Sequence, residues 1–582
     1  MGISLLYFSL DHVSRHGLQR LQEDCTIAFS HPSGFYDDAF TLEILGGGRY
    51  DIRYTLDGSE PTAASPLYQK DSGLYIRDVS PTANRYVSRT DLSAGYNEAL
   101  LEKYLGTGAV YSASEEPVDK CTVLRAAVFD GHKRIGESVC GVYFVFPEQM
   151  ENYRELYTVS VVAEPDDLFG YEQGIMVTGK TQADYFASMA ISDAEFRSQW
   201  YAPYWWWWPA NCRNTGEDWE RAVHISVFNA ERQLEMDQRC GIRVQGGGSR
   251  GKVLRSLRCF ARPKYAGEDN FNVDWFGEDV RPNTFILFGG ADDAYNLQDY
   301  IVQSAAAELN IATMDFIPCA LFINGELWGV YHITEDYGAD FIADHYGVQE
   351  DGVIMVKNYA IEEGTEYQME LFSQTMSFLR STDMTEAENY QRACELIDME
   401  SYIDYYALQT YVARHKDWPS SNFALWRTET VEASPCGDTR WRWMYFDVNS
   451  GALAGEDYNH WETDSIAYIR SRDSTFNSLF KNRDFQTQYA RRLLYLCDTA
   501  FDPAECAALI DEYVDTAGAL LQQTNQRIYN DPGTEKQELY MENLKLFFAR
   551  RGESIRSQLA EHLDEAVAGE LDIHISSQTT ER

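Results

Sequence analysis

The chain has 582 residues, and its composition and charge exclude several classes of protein. A single hydrophobic core rarely extends beyond roughly 250–300 residues, so two or three domains are expected. The 49 Lys and Arg against 91 Asp and Glu give a formal net charge of −42, which repels nucleic acids and anionic membrane surfaces. No apolar run reaches membrane-spanning length. We therefore expect neither a nucleic-acid partner nor a membrane span.

Residues 1–25 form a lead-in to which the sequence assigns no chemistry. Its apolar start is short, lacks a basic region and has no small-residue cleavage site, so it carries no convincing export signal. The eleven cysteines are scattered along the chain and never form a Cys-x-x-Cys pair. This pattern favours buried free thiols over a zinc site or a disulfide framework.

Short strand-like runs dominate residues 26–148. They alternate with strong turn signals, of which Asp57-Gly58 followed by Glu60-Pro61 is the clearest. We predict a small β-sandwich over 26–148 and a charged linker over 149–155. The predicted strands cover residues 40–44, 52–55, 123–129 and 139–145.

The turn in this region carries a family resemblance. Tyr54-Thr55-Leu56-Asp57-Gly58-Ser59-Glu60-Pro61-Thr62, together with Gly34-Phe35-Tyr36, is similar to the C-terminal β-sandwich of chitobiases and β-hexosaminidases. That accessory module is not catalytic, so Asp57 and Glu60 are interpreted as turn formers rather than as a glycosidase pair. The resemblance suggests a cell-wall or coat carbohydrate as a partner.

Four consecutive tryptophans, Trp205 to Trp208, follow later in the chain. Exposed indoles could stack on a sugar. A partly covered loop that packs on its own domain is the favoured interpretation, because the run has neither helical nor strand periodicity.

A glycine-rich turn follows the strand that begins at Ile242. Gly246, Gly247 and Gly248 precede a segment that carries Arg250, Arg255 and Arg258. Backbone amides and cations brought together in this way are typical of phosphate binding. The alternative is an ordinary β-hairpin with surface arginines.

The next elements lead to a second polar motif. We predict a helix over residues 297–309 that carries Asp299, a hairpin closed by Asn324-Gly325 with Glu335 just beyond it, and helices over 365–380 and 386–413. A further helical region is predicted from residue 485 to 563.

The stretch after the helix over 386–413 has the spacing of a phosphoryl-transfer loop. Asp417 and Asn422 are five positions apart, which suits one group for an acceptor hydroxyl and one for a metal ion. His415-Lys416-Asp417 resembles the His-Arg-Asp opening of a protein-kinase catalytic loop, and a further acid, Asp447, ends the aromatic run 441–446.

Several of these motifs, in order, resemble the spore coat protein H (CotH) family of atypical protein kinases over residues 156–563. The resemblance implies an α+β chain in which the β-sandwich precedes a divergent two-lobed kinase domain with a helical C-terminal part, and a polar tail over 564–582. It also implies transfer of the ATP γ-phosphoryl group, with Mg²⁺, to Ser or Thr residues of protein substrates. The matching pieces are 218–221, 247–251, 323–331, 334–335, 417–422 and 446–447.

The resemblance also implies a role for each candidate residue. Asp417 would orient the acceptor hydroxyl and take its proton, and Asn422 and Asp447 would hold the metal. Asp299 would pair with the phosphate-binding cation, and Glu335 would lie near the nucleotide. The residues implied to cover or bind the phosphates are Gly246, Gly247, Ser249, Arg250, Arg255 and Arg258.

One departure leaves an alternative open. Arg255 stands where the family usually has a lysine, and its longer planar head need not restore the lysine geometry. A catalytically weak or inactive scaffold of the cell surface or spore coat is therefore the competing hypothesis. The family suggests a surface, secreted or spore-coat location, whereas the lack of an export signal leaves the cytoplasm as an alternative.

Overall fold

The structure combines several β-sheets with a helical C-terminal part, as expected for a mixed α and β chain. The computed structural model describes residues 26–573, except 109–110, 188–191, 278–279, 291–292, 294 and 449–450. The predicted lead-in over 1–25 and the end of the polar tail lie outside the described residues. No helix in the described part of the chain is both long enough and apolar enough to cross a membrane.

The N-terminal module contains one four-stranded sheet, of order β2-β8-β7-β5, and two small sheets that pair β1 with β4 and β3 with β6. These sheets enclose a core of their own, which includes Leu42, Ile52 and Leu124. The predicted strand over 40–44 is two strands. The eight strands are β1 (Ile27–Phe29), β2 (Gly34–Phe35), β3 (Phe40–Leu42), β4 (Ile44–Gly46), β5 (Asp51–Thr55), β6 (Leu74–Ile76), β7 (Thr122–Asp130) and β8 (Lys133–Phe144).

The four-stranded sheet has a second buried face. Because side chains alternate along a strand, Leu124 faces the module's own core while Val123 belongs to the main core of the chain. Phe144, on β8, lies in that main core too, and its ring centroid is 5.1 Å from that of Phe322. One face of this sheet thus packs on the module's own core, and the other face packs on the next domain.

The next domain is built on a closed seven-stranded barrel of order β10-β11-β12-β13-β15-β14-β9. The predicted hairpin at Asn324-Gly325 is confirmed, since both residues have positive φ (47° and 86°) and join β14 to β15. The strands are β9 (Tyr157–Ala163), β10 (Arg221–Phe228), β11 (Leu234–Gln245), β12 (Ser256–Phe260), β13 (Thr284–Phe288), β14 (Phe316–Ile323) and β15 (Glu326–Thr334).

In the described part of the chain, seven α-helices lie between residues 98 and 346. The predicted helix over 297–309 is confirmed as α6, although it is shorter. The seven are α1 (Glu98–Leu105), α2 (Pro165–Phe169), α3 (Gly179–Ala187), α4 (Asp193–Ser198), α5 (Pro263–Ala266), α6 (Gln298–Ala306) and α7 (Ala339–Tyr346).

A second four-stranded sheet, of order β17-β16-β18-β19, and three helices lie before and after the candidate catalytic loop in the chain. The predicted single helix over 386–413 is wrong, because Asp398 caps a new helix by accepting a hydrogen bond from the Ser401 amide. The elements are β16 (Val353–Lys357), β17 (Ala360–Glu363), α8 (Met369–Ser381), α9 (Ala387–Leu396), α10 (Met399–Tyr411), β18 (Ala424–Thr428) and β19 (Arg442–Met444).

The C-terminal part is helical, as predicted. Its two longest helices pack against each other, and the first of them also packs on β15 of the barrel. The helices are α11 (Ser465–Arg472), α12 (Ser474–Leu479), α13 (Arg483–Tyr495), α14 (Pro503–Tyr529), α15 (Thr534–His562) and α16 (Glu565–Glu570).

Candidate active site

Asn422 and Asp447 emerge at the same end of one sheet. The strands β18 and β19 are antiparallel with Ala424 opposite Met444, so the start of β18 and the end of β19 meet at one edge. Both candidate residues have positive φ (56° and 62°), which Asn and Asp tolerate better than most side chains. The backbone thus turns sharply at both positions, next to the same sheet edge.

Asp417 follows α10 on a loop that is fastened to the strand end before Asp447. Buried Arg414 donates a hydrogen bond from Nη1 to the Phe446 carbonyl oxygen at 3.2 Å. The His415 amide donates to the Gly451 oxygen at 3.1 Å, so the two segments run side by side. The fold therefore brings Asp417 to the region that contains Asn422 and Asp447.

The side chains of Asp417, Asn422 and Asp447 are all half-buried. Among the described residues, none of these three side chains makes a hydrogen bond or an ion pair. Mg²⁺ binds oxygen ligands such as carboxylates and keeps several waters, so side-chain oxygens that have no protein partner are free to bind it. The donor set fits a magnesium ion.

Asp299, on the first turn of α6, lies beside this group. Its side chain is buried, and Oδ1 accepts a hydrogen bond from the Val448 amide at 2.8 Å. Oδ2 has no hydrogen-bond partner among the described residues. Burial, and then the charge of Asp447, raises the pKa of Asp299 to about 7. Asp299 thus contacts the backbone at Asp447, whereas the sequence led us to expect a phosphate-binding cation as its partner.

The glycine-rich turn is closed by two guanidinium groups. Arg250 donates to the Gly246 oxygen and to the Asn214 oxygen. Arg213 donates to the Gly247 oxygen at 2.9 Å. Gly246 has a φ of 112°, and a Cβ there would lie 2.1 Å from Ser249 Oγ, so the turn requires glycine at this position.

The tryptophan run packs against this turn, in agreement with the favoured interpretation. Trp208 is fully buried, and residues 205–207 form a short 3₁₀ turn. A Cβ on Gly251 would lie 2.3 Å from the Trp206 carbonyl oxygen, so the turn and the run approach each other closely. The indoles thus support the glycine-rich turn, and Trp200 upstream of the run stays 64% exposed.

Sequence reasoning missed Lys252, at the end of the glycine-rich turn. Burial, and then the charge of Lys416, lowers the pKa of Lys252 to about 8. Lys416 directly precedes Asp417, so the positive charge that repels Lys252 comes from the loop that carries Asp417. An anion between the two lysines would relieve this repulsion. In the sequence, the only signal for such a pair was that Lys252 follows the glycine-rich turn and Lys416 precedes Asp417.

The guanidinium group of Arg255 binds backbone carbonyl oxygens of the protein. Its side chain is fully buried and donates to the carbonyl oxygens of Lys252 (2.8 Å from Nε) and Leu92. The residue that replaces the family lysine therefore ties the glycine-rich turn to an N-terminal segment 163 residues earlier.

Arg258 and Glu335 also have protein partners. Arg258 Nη2 lies 2.6 Å from Asp336 Oδ1. Glu335 Oε1 lies 2.6 Å from His345 Nε2, and its other oxygen accepts the Asp315 amide at 2.9 Å. The structure thus brings Asp417, Asn422, Asp447 and Asp299 together and directs Arg255, Arg258 and Glu335 to other contacts.

Comparison with known families gives two matches. The model of the CotH kinase protein family matches residues 242–555, which is more than half of the chain. The model of the chitobiase/β-hexosaminidase C-terminal domain matches residues 31–90. A search of curated proteins finds no match.

Proposed function

Because the chain belongs to the CotH kinase protein family, we propose that it transfers the γ-phosphoryl group of ATP to Ser or Thr residues of protein substrates. The observation that carries this proposal is the convergence of Asp417, Asn422 and Asp447, whose half-buried side chains have no partners among the described residues. Phosphoryl transfer needs positioned groups of this kind more than it needs covalent chemistry by the protein.

Each residue has a defined part in the proposed reaction. Asp417 orients the acceptor hydroxyl and takes its proton as the hydroxyl oxygen bonds to the γ-phosphorus and the bond to the β–γ bridging oxygen breaks, which releases ADP. Asn422 and Asp447 would hold Mg²⁺, which neutralises charge on the phosphates when it is bound. Asp299 holds the backbone next to Asp447 through the Val448 amide.

The phosphate side of the site would be formed by the glycine-rich turn. Lys252 and Lys416 would both supply positive charge. Burial, and then the charge of Lys416, lowers the pKa of Lys252, and a bound polyanion would offset both effects. Gly246, Gly247 and Ser249 would cover the phosphates, as the family resemblance implies.

We also propose that the barrel and the helical part act as the two lobes of a kinase domain. In support, the glycine-rich turn leaves the barrel after β11, while Asp417 follows α10. A nucleotide between these elements would contact both.

The test is transfer of labelled γ-phosphate from ATP to protein. The intact protein should label acceptor peptides or itself, and Asp447→Ala should abolish labelling. Asp417→Asn should lower the rate by about 10²–10⁴-fold, as expected for a lost general base. Asp457→Asn, an exposed acid outside the site, is the matched control. Equal labelling by all four proteins would contradict the assignment.

A second candidate function, carbohydrate binding by the N-terminal module, is favoured by the match over residues 31–90. It would place the protein at a cell wall or a spore coat. A glycan array probed with the full chain should then give a defined ligand, and a blank array would leave the module as a structural element.

A further inference from the structure

The hairpin next to Asn422 has an unusual residue in its turn. Asn358 and Tyr359 join β16 to β17, with Lys357 opposite Ala360, and both turn residues have positive φ (51° and 63°). This is the sign pattern of a type I′ turn, whose second position strongly prefers glycine. A bulky residue with positive φ is strained, and such strain is found preferentially where a side chain has a function.

This hairpin is fastened directly to the candidate site. Asn358 Oδ1 accepts a hydrogen bond from the Phe423 amide at 3.3 Å, and the Asn358 amide donates to the Phe423 oxygen at 3.1 Å. Phe423 is the residue after Asn422. The backbone of the turn that carries Tyr359 is therefore held next to the proposed metal ligand.

The ring of Tyr359 packs against two phenylalanine rings and is otherwise largely exposed to solvent. Its centroid lies 4.7 Å from that of Phe423 in an edge-on arrangement and 6.2 Å from that of Phe372. Both phenylalanines are buried, whereas Tyr359 stays 60% exposed. A tyrosine has few rotatable bonds, so a ring packed in this way offers contact area to a partner at low cost in conformational entropy.

The strand that Tyr359 leads into has a free side in the described structure. β17 is the edge strand of the sheet β17-β16-β18-β19, and its residues alternate between exposed and half-buried. An edge strand can pair with an extended polypeptide. The nucleotide side of the proposed site, marked by Lys252 and the glycine-rich turn, belongs to the barrel instead.

We propose that Tyr359 and the edge of β17 dock the acceptor polypeptide in extended conformation, so that its Ser or Thr reaches Asp417. The inference rests on the proposed phosphotransferase function. It makes Tyr359 a residue that binds the acceptor without taking part in nucleotide binding.

The experiment compares the wild type with Tyr359→Asn and Tyr359→Phe. Asn tolerates positive φ, so Tyr359→Asn keeps the turn, which circular dichroism and the melting temperature check. An arrayed library of peptides with a single Ser or Thr supplies the acceptor, and the best peptide is used for kinetics. We expect Tyr359→Asn to raise the KM for this peptide about tenfold, and Tyr359→Phe to stay within about twofold. The KM for ATP should be unchanged in both.

The outcomes separate the inference from the function on which it rests. Peptide labelling by the wild type with an unchanged peptide KM in Tyr359→Asn would overturn the docking role alone. A rise in the KM for ATP would assign the ring to the nucleotide and would also overturn it. No peptide labelling by the wild type would contradict the proposed function and the inference together.

Discussion

Two buried side chains, one acidic and one basic, hold the backbone on either side of Asp447. Asp299 accepts a hydrogen bond from the Val448 amide, and Arg414 donates one to the Phe446 oxygen. Asp447 itself has positive φ, so its side-chain direction depends on these contacts. Asp299 is thus a positioning residue for the proposed metal ligand.

Replacing Asp299 tests this arrangement. Asp299→Ala leaves the buried Val448 amide without an acceptor, which costs about 1–3 kcal/mol and should lower phosphate transfer. Asp299→Asn keeps an oxygen at the same position and should retain more of both stability and activity. Urea denaturation and labelled-phosphate transfer measure the two effects. Equal losses of stability and of phosphate transfer in the two variants would show that Asp299 does not act through the Val448 amide.

Lys252 is the proposed phosphate contact that sequence reasoning missed. Lys252→Met should raise the KM for ATP about tenfold with a smaller effect on kcat, because a charge contact to the phosphates is lost. Lys133→Met, at an exposed position on β8 of the N-terminal module, is the matched control. Steady-state kinetics of phosphate transfer decide between them, and an equal KM for both variants would remove Lys252 from the site.

Among the elements, strands and turns were predicted well where neighbouring residues in the sequence determine the structure. The Asn324-Gly325 hairpin follows from its dipeptide, and the strands next to Asn422 and Asp447 follow from their sequence patterns. The roles of Asp417, Asn422 and Asp447 stay a prediction from their spacing and from the family resemblance. The contacts of Arg255 could not be predicted, because the Leu92 oxygen comes from a segment 163 residues away. Long-range partners of this kind leave no pattern in a single sequence.

The barrel contains a buried histidine that should make the protein sensitive to acid. The ring centroid of His332, on β15, lies 5.4 Å from that of Tyr300 and 6.0 Å from that of Tyr513, and neither ring nitrogen has a hydrogen-bond partner among the described residues. Burial lowers the pKa of His332 to about 3. Between about pH 6.5 and 3 the unfolded chain binds a proton there that the folded chain does not, so stability falls as the pH falls.

This histidine should contribute a loss of about 2 kcal/mol in the free energy of unfolding between pH 7 and pH 5. His332→Phe keeps a stacking ring without the titrating group, so its stability should fall less over that interval. Urea denaturation at the two pH values measures the difference. The same pH dependence in both proteins would show that the pKa of His332 is equal in the folded and the unfolded chain.

At the scale of the whole molecule, the N-terminal module and the barrel are joined by a buried carboxylate. Glu326, at the start of β15, accepts hydrogen bonds from the amides of Arg85, Tyr86 and Val87. Just beyond these residues, the Ala94 amide donates to the Gly251 oxygen of the glycine-rich turn. The segment from the module thus reaches the candidate site.

Removing this carboxylate should loosen the junction. Glu326→Ala leaves three amides without an acceptor and should lower the free energy of unfolding by about 3 kcal/mol or more, whereas Glu326→Gln keeps one acceptor oxygen and should lose less. Hydrogen exchange of residues 84–95 and 246–251 should rise together with the loss of stability. Unchanged exchange at 246–251 would show that the junction and the turn are independent.

In the proposed site, Asn422 and Asp447 bind a magnesium ion together with ATP. Isothermal titration calorimetry with ATP in the presence of Mg²⁺ tests it most directly, on the wild type and on Asn422→Ala. We expect saturable binding by the wild type that requires Mg²⁺ and is weakened at least about tenfold in Asn422→Ala. No binding by the wild type, or equal affinity in the variant, would contradict it.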